Sequence, residues 1–371
     1  MRCWAVRVES GEDFSAMSTM LGQPVEVGAI GKELKKLWDD DAAATNASLM
    51  NLAVYSEKAG SLDENSEAIS TLTREHACRA ILVEMERMNP EVSIESWVTA
   101  HCHLAHGRKT LCCEQISFRL KGKALGRMRN TLFANLNSDL PLVFWWQGEL
   151  SELFEERLYR LTDRFIVDAS EWADVSAGYN RLRDAVRDSN CQMAVQDLAW
   201  TRTYHLRLGV AGLFDDPIAQ EMLGEVTTVK ITGQGRYWTS AWMMIAWLAT
   251  QAQWSFEGSE GKDEHLFTFQ RPHGGKVEVE WMVDDAGAPL GLVSIGNEKT
   301  SVSASRKSGE RLLHLQLDSP GHIVNQVVPS DPEDQVELVA EQLSRGSKNS
   351  LFRKVWPLFF QMIGIEGGDP C

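Results

Sequence analysis

Apolar residues recur along this chain with two different periods, and the change from one to the other divides it. L-M-N-L-A-V-Y (Leu49 to Tyr55) is an apolar run of strand length. S-L-D-E-N-S-E-A-I-S-T-L-T-R-E-H, from Ser61 to His76, has helical spacing, with a Ser cap at its start and acids in its first turns. C-R-A-I-L-V-E-M then predicts a second strand. Strand, helix and strand in succession imply a parallel pair with a right-handed crossover. S-W-V-T-A-H-C-H-L and L-C-C-E-Q-I-S-F-R-L, joined by A-H-G-R-K-T, predict a hairpin. Between Gly126 and Asn137, Met128, Leu132, Phe133 and Leu136 fall on one helix face. A strand from Leu140 to Trp146, the helix E-L-F-E-E-R-L-Y-R-L and the strand R-F-I-V-D follow. Together these elements predict an α/β domain over residues 1–175, a mixed, mostly parallel sheet flanked by helices.

Beyond Trp172 the pattern changes. A helix from Ala177 to about Arg187 leads to V-Q-D-L-A-W-T-R-T-Y-H-L-R-L, read as about three helical turns. The strand V-T-T-V-K-I-T precedes G-Q-G-R-Y-W and an aromatic helix from Ser240 to Trp254. From Leu266 onward the alternation is strict: H-L-F-T-F-Q, K-V-E-V-E-W-M-V, G-L-V-S-I-G, T-S-V-S-A-S-R and R-L-L-H-L-Q-L, with D-D-A-G and K-S-G at turns. Period two predicts an antiparallel sheet with one face to water and helices on the other, hence an α+β domain over residues 176–371. The tail E-G-G-D-P-C is expected to be mobile.

D-L-P-L-V-F-W-W-Q-G, from Asp139 to Gly148, sharpens the picture. Neighbouring side chains on a strand point to opposite faces, so Trp145 and Trp146 must diverge. Either helices cover both faces of that strand, or one tryptophan awaits a partner.

Composition narrows the function classes. The chain has 371 residues, 43% apolar and 24% charged, the balance of a soluble globular protein of two or three domains. A net charge of -15 opposes a general nucleic-acid surface, because phosphate neutralisation needs clustered Lys and Arg. No apolar run reaches the roughly 20 residues of a membrane span, and the first residues lack an apolar core with a cleavage site. A cytoplasmic location is expected. Seven cysteines, an odd number scattered over the chain, argue for reduced thiols.

Candidate chemistry is sparse. His101, His103, His106 and Cys112 lie close in sequence, but their spacing matches no common zinc pattern, and no metal is expected. G-Q-G-R-Y-W-T-S follows a strand and opens a helix, so Gly233, Gly235 and Ser240 could cradle an anion. The third glycine of a dinucleotide fingerprint is absent, and a tight turn is the simpler reading. No G-x-S-x-G elbow, H-E-x-x-H pair or Walker loop occurs. In D-L-A-W-T-R-T-Y-H-L-R-L, Asp197, Trp200, Arg202, His205 and Arg207 combine the residue types that dominate binding hot spots. An internal Asp–Arg pair locking two domains together is the alternative.

Taken in order, H-A-C-R-A-I-L-V, the C-C-E-Q-I-S block, D-L-P-L-V-F-W-W-Q-G, F-I-V-D-A-S and D-L-A-W-T-R, with the helix S-A-W-M-M-I-A-W-L-A, resemble the glucose-6-phosphate dehydrogenase assembly proteins, the OpcA family. The resemblance runs from about residue 70 to 255. It implies an α/β domain followed by a second domain, and a non-catalytic protein without cofactor that binds the oligomeric dehydrogenase of the oxidative pentose phosphate pathway and promotes its active state. Cyanobacterial members of the family are associated with thioredoxin control through paired cysteines, whereas here only Cys371 follows Cys191. Residues expected at the partner interface are Trp145, Trp146, Gln147, Asp197, Trp200, Arg202 and Arg207. If Trp146, Gln147 and Gly148 end a strand at the carboxyl edge of the sheet, they lie where open α/β sheets place their crevice. The alternative function is a sugar-phosphate or nucleotide-binding sensor or enzyme that uses the Gly233 loop.

Overall fold

The computed structural model describes residues 20–39, 44–46, 48–105, 109–122, 125–260, 265–346 and 350–366. Among the described residues nine strands form a first sheet: β1 (Gln23–Pro24), β2 (Ala44–Asn46), β3 (Asn51–Ser56), β4 (Arg79–Glu86), β5 (Ser93–Ala105), β6 (Lys109–Lys121), β7 (Leu142–Trp146), β8 (Arg164–Val167) and β9 (Ala194–Asp197). Its order is β1-β5-β6-β4-β3-β7-β8-β9, with β2 beside β6. From β6 to β9 every neighbouring pair is parallel. The hairpin of β5 and β6 is antiparallel, as the sequence predicts. Later strands are thus added on one side of β3 as β4 and β6, and on the other as β7, β8 and β9. The order reverses between β3 and β7, which makes that gap the topological switch point where open α/β sheets form a crevice.

The helices of this half are α1 (Ile30–Asp39), α2 (Ser61–Leu72), α3 (Leu125–Ala134), α4 (Glu156–Tyr159) and α5 (Val175–Asp188). The helix expected over Glu152–Leu161 is reduced to the four residues of α4. Sheet one also takes in β9, beyond the boundary at residue 175 that the change of pattern suggests. Trp145 and Trp146 are both fully buried, in separate cores on opposite faces of the sheet. Trp145 packs in the cluster of Leu52, Leu62 and Ile69, and Trp146 with Tyr55, Phe144 and Phe165. Alternation along the strand holds, and protein covers both sides.

Past β9, α6 (Leu198–Thr201), α7 (Tyr204–Leu213) and α8 (Pro217–Leu223) lead to the second sheet. The segment read as three continuous turns is therefore a strand end followed by two helices. The second sheet comprises β10 (Thr228–Gly233), β11 (Ser255–Glu260), β12 (Leu266–Gln270), β13 (Lys276–Val283), β14 (Leu290–Gly296), β15 (Ser301–Ser305), β16 (Leu312–Ser319) and β17 (His322–Pro329). Their order is β11-β12-β13-β10-β14-β15-β16-β17, antiparallel except for β10 with β13. Alternation puts Leu313, Leu315 and Leu317 inward and Leu312, His314 and Gln316 outward. Helix α9 (Trp238–Ala252), buried from Thr239 to Ala249, lies on the inner face, where Trp242 meets Phe267 edge-on at 4.9 Å. Of the last two helices, α11 (Ser350–Met362) packs on α9, whereas α10 (Gln335–Ser344) returns to the first half. Leu338, Val339 and Leu343 of α10 complete the cluster that holds Trp145, so the C-terminal part of the chain closes the N-terminal core. The tail beyond Glu366 lies outside the described residues.

Candidate functional site

At the switch point the carboxyl ends of β3 and β7 border an open crevice of about 740 Å³, lined by Ser56, Glu57, Lys58, Arg87, Gln147 and Gly148 among others. This is where the strand order and the W-W-Q-G ending place it. At and beside it, amides of two loops are already taken by the protein's own carboxylates. Helix α2 begins without a side-chain cap of its own, since Gly60 at that position has a left-handed backbone (φ 80°) and Ser61 is already helical. The cap comes from β4: Glu84, only 1% exposed, accepts hydrogen bonds from the Leu62 amide at 3.1 Å and the Ser61 hydroxyl at 3.3 Å. Its other oxygen accepts from Arg119 Nε at 2.7 Å. A helix N-terminus that could attract a phosphate therefore holds a buried, paired carboxylate.

The second loop repeats this arrangement. The Gly148 amide donates to Glu171 at 3.2 Å, and the Ala173 amide to Glu149 at 2.7 Å. Gln147 exchanges hydrogen bonds with Asn65 at 2.7 and 3.1 Å. The cations of the crevice are engaged as well: Arg87 with Glu57 and Glu152, Lys58 with Glu64 at 2.8 Å, and Arg181 with the Leu150 carbonyl. A dinucleotide would have to displace Glu84 or Glu171 to reach these amides. The residues present do not fit such a group.

The D-L-A-W-T-R segment is internal. Asp197, Trp200, Arg202 and Arg207 are all buried, so with Trp145 and Trp146 they build the interior, and Gln147 alone of the residues expected at a partner interface is half exposed. Arg202 pairs with Asp168 at 2.7 Å, both 3% exposed, and stacks over Tyr237 at 4.3 Å. The buried Asp–Arg pair exists, but its acid is Asp168 at the end of β8 and not Asp197. Burial opposes ionisation of Asp168, yet Arg202 and Ser170 hold its carboxyl below the ordinary range. Asp197 accepts from the amides of Ala169 at 3.1 Å and Ala199 at 2.7 Å and from the Tyr179 hydroxyl. Burial, with the neighbouring Asp168 charge, pushes it up to about 7. Two adjacent carboxylates are thus driven apart, one ionised by Arg202 and one held close to neutral.

The Gly233 loop is a packed turn. A Cβ on Gly233 would stand 2.2 Å from the Pro289 carbonyl oxygen, so close approach of two backbones requires glycine there. The Gly235 amide donates to Asp285 at 2.8 Å, and Ser240 is buried within 3.4 Å of Arg202. Here too an internal acid holds the amide that an external anion would need.

Of the histidine cluster, His101 bonds Gln115 at 2.7 Å and His103 bonds Thr73 at 3.0 Å, while His106 lies outside the described residues. Cys112 is joined to Cys102 in a disulfide across β5 and β6, which corrects the expectation of reduced thiols throughout: the register sets these two directly opposite. The sequence reading missed Glu84, Asp168, Tyr179 and Asp331. Glu84 carried a signal, a charge set between the apolar run A-I-L-V and Met85. No helix among the described residues is long and apolar enough to cross a membrane.

A model of the glucose-6-phosphate dehydrogenase subunit N-terminal domain, of OpcA type, matches residues 69–184, and the corresponding C-terminal domain matches residues 193–356. An OxPP cycle protein OpcA of Synechocystis is 25% identical over 308 residues, covering 78% of this chain and 64% of its own length. Its counterpart in Nostoc punctiforme is 24% identical over 281 residues, covering 70% and 60%. The chain thus spans somewhat less than two thirds of either relative. A solved 3-ketoreductase from Actinomadura kijaniata, in complex with NADP and TDP-benzene, superposes with a TM-score of 0.47 at 9% identity, over 85% of this chain and 96% of its own. With both domain models matched in order along most of its length, this chain belongs to the OpcA family of glucose-6-phosphate dehydrogenase subunit proteins.

Proposed function

We propose that this protein is a non-catalytic assembly factor and allosteric activator that binds the glucose-6-phosphate dehydrogenase oligomer of the oxidative pentose phosphate pathway. Family membership supports the choice of partner. The observation that carries the rest is the switch-point crevice, where Glu171 holds the Gly148 amide and, beside it, Glu84 caps the start of α2. Such a crevice supports a fold kept for its shape and surfaces rather than for holding a nucleotide.

The outer face of the second sheet is the surface best suited to docking. Helices cover the inner face, whereas the outer one carries Lys230, Glu278 and Glu280 on the central strands β10 and β13, then half-buried Ser294, Ser301, Ser303 and Ser305 on β14 and β15. Toward the β17 edge it becomes apolar, with Leu312 50%, Val327 54% and Ile323 62% exposed. A broad, even sheet face of this kind can stack on another flat element at about 10 Å. An activator acts only through unequal affinity for two states of its target. A tenfold gain in the dehydrogenase's substrate affinity needs about 1.4 kcal/mol of coupling. An interface of standard size, roughly 1,600 Å², exceeds that requirement comfortably. The test is to mix the purified chain with the dehydrogenase and follow complex mass and activity together. Formation of a complex with higher activity supports the reading, and turnover by the isolated chain opposes it.

A further inference from the structure

Arg207 of α7 is a buried cation without a counter-ion. It is 5% exposed, and a single nitrogen, Nη1, makes both of its hydrogen bonds, to the Trp200 carbonyl at 2.8 Å and to the Thr203 hydroxyl. Among the described residues no carboxylate lies within ion-pair distance of it. Asp331 offsets the charge only from further away, because its two oxygens take the amides of His205 at 2.7 Å and Leu206 at 3.0 Å. Burial, partly countered by Asp331 and reinforced by the charge of Arg345, brings the Arg207 guanidinium down to about 9. An uncompensated buried charge costs several kcal/mol as an order of magnitude, so a fold keeps one for a reason.

Two more guanidiniums gather at the same junction of α7, β8 and α10. Arg345 stacks over Tyr204 at 3.4 Å, as Arg207 stacks over Trp200 at 3.4 Å. Its partner is Glu341, at 2.6 Å. Arg164 bonds only neutral oxygens, those of Gln196 at 3.2 and 3.3 Å and the Gln342 carbonyl. In a chain of net charge -15, these three arginines thus have one carboxylate within ion-pair distance among the described residues. Between them opens a recess of about 200 Å³ lined by Trp200, Tyr204, Arg207, Gln342 and Arg345 among others, with no Asp or Glu among the described residues of its wall. The switch-point crevice, by contrast, is ringed with glutamates.

We propose that this recess binds a small phosphate-bearing anion, gripped between the guanidiniums of Arg207 and Arg345. Each fork is already oriented by the ring it lies on, and a guanidinium presents paired donors that match oxyanion edges. Two forks, one from α7 and one from the residue that follows α10, suit a tetrahedral anion, which offers a separate edge to each, better than a lone carboxylate with its single edge. The volume lies below the roughly 300 Å³ at which pockets for drug-sized ligands begin, which excludes a dinucleotide. A bound phosphate would tie α7, which covers the second sheet, to α10, which covers the first. The inference stands apart from the dehydrogenase reading, since it concerns the isolated chain.

Calorimetry and thermal unfolding of the full chain test it, with inorganic phosphate and glycerol phosphate as probes and sodium chloride holding ionic strength constant. The wild type should bind at least one probe saturably with a rise in Tm. A response to both marks a free phosphate site, and a response to the ester alone marks a monoester site. Arg207→Gln and Arg345→Gln should each weaken binding at least tenfold, while Arg236→Gln beside the Gly233 loop leaves it unchanged. Without phosphate, Arg207→Gln should unfold no earlier than wild type, because it removes an unpaired charge. If that variant fails to fold, Arg345→Gln carries the test. No difference between phosphate and chloride, or undiminished binding in the folded variants, would overturn the proposal.

Discussion

The carboxylate of Glu84 stands 3.1 Å from the amide of Leu62, so a strand of the sheet caps the helix that follows the preceding strand. Because Arg119 holds the same carboxylate at 2.7 Å, the cap is a buried ion pair rather than a loose surface contact. Glu84→Gln should destabilise the chain by about 2–4 kcal/mol, since it leaves Arg119 underpaired and weakens the cap. Urea unfolding of the two proteins measures the difference. A neutral result would show that the start of α2 does not depend on this acid.

Asp197 makes stability depend on pH. Its carboxyl is raised to about 7 in the fold, chiefly by burial, so folded protein holds a proton that unfolded chain releases. Its contribution is fully present below the ordinary Asp range near 4 and is lost as pH rises to about 7. Asp168, held low by Arg202 against the effect of burial, has the opposite sign and matters only in acid. Asp197→Asn, which mimics the protonated group toward Tyr179 and the two amides, should remove roughly 1–3 kcal/mol of pH dependence between pH 5 and 8. Thermal unfolding across that range checks it; parallel curves for mutant and wild type would contradict the assignment.

The adjacent tryptophans should respond differently to loss of their indole nitrogen. Trp146 Nε1 donates to the Glu149 carbonyl at 2.9 Å, whereas Trp145 Nε1 has no partner among the described residues. Trp145→Phe loses volume alone, and Trp146→Phe loses volume and a hydrogen bond, so the second should cost about 1 kcal/mol more. Truncation of either to Ala should cost about 3–5 kcal/mol. Equal denaturation midpoints for the two Phe variants would count against this difference.

The β17 edge offers a test of the docking face. Ile323→Glu with Val327→Glu changes two exposed side chains, so stability should move by under about 1 kcal/mol. Association with the dehydrogenase should weaken at least tenfold, about 1.4 kcal/mol. Ultracentrifugation of the mixture reads this directly; unchanged association would move the interface elsewhere.

Much of this architecture was legible in periodicity. The strands β3, β4 and β7, the hairpin of β5 and β6 and the alternating second sheet all follow from local pattern. Long-range facts were less accessible. That α10 closes the core around Trp145, or that β10 pairs in parallel with β13, depends on contacts between distant parts of the chain. The interface residues were misplaced for a related reason: Trp and Arg mark hot spots and buried junctions alike, and spacing cannot separate the two. Only the pairing of Arg202 with Asp168, and the lack of such a partner for Arg207 among the described residues, tells them apart. The Gly233 loop resembled an anion cradle because a tight turn also needs glycine, and the acid that occupies it, Asp285, lies fifty residues away.

The most direct measurement is a steady-state assay of glucose-6-phosphate dehydrogenase titrated with this chain, beside the same assay of the chain alone. The expected result is saturable activation of the enzyme, through higher substrate affinity or a larger active oligomer, and no NADP reduction by the chain itself. Indifference of the dehydrogenase to saturating amounts of the chain, or turnover by the chain in isolation, would contradict it.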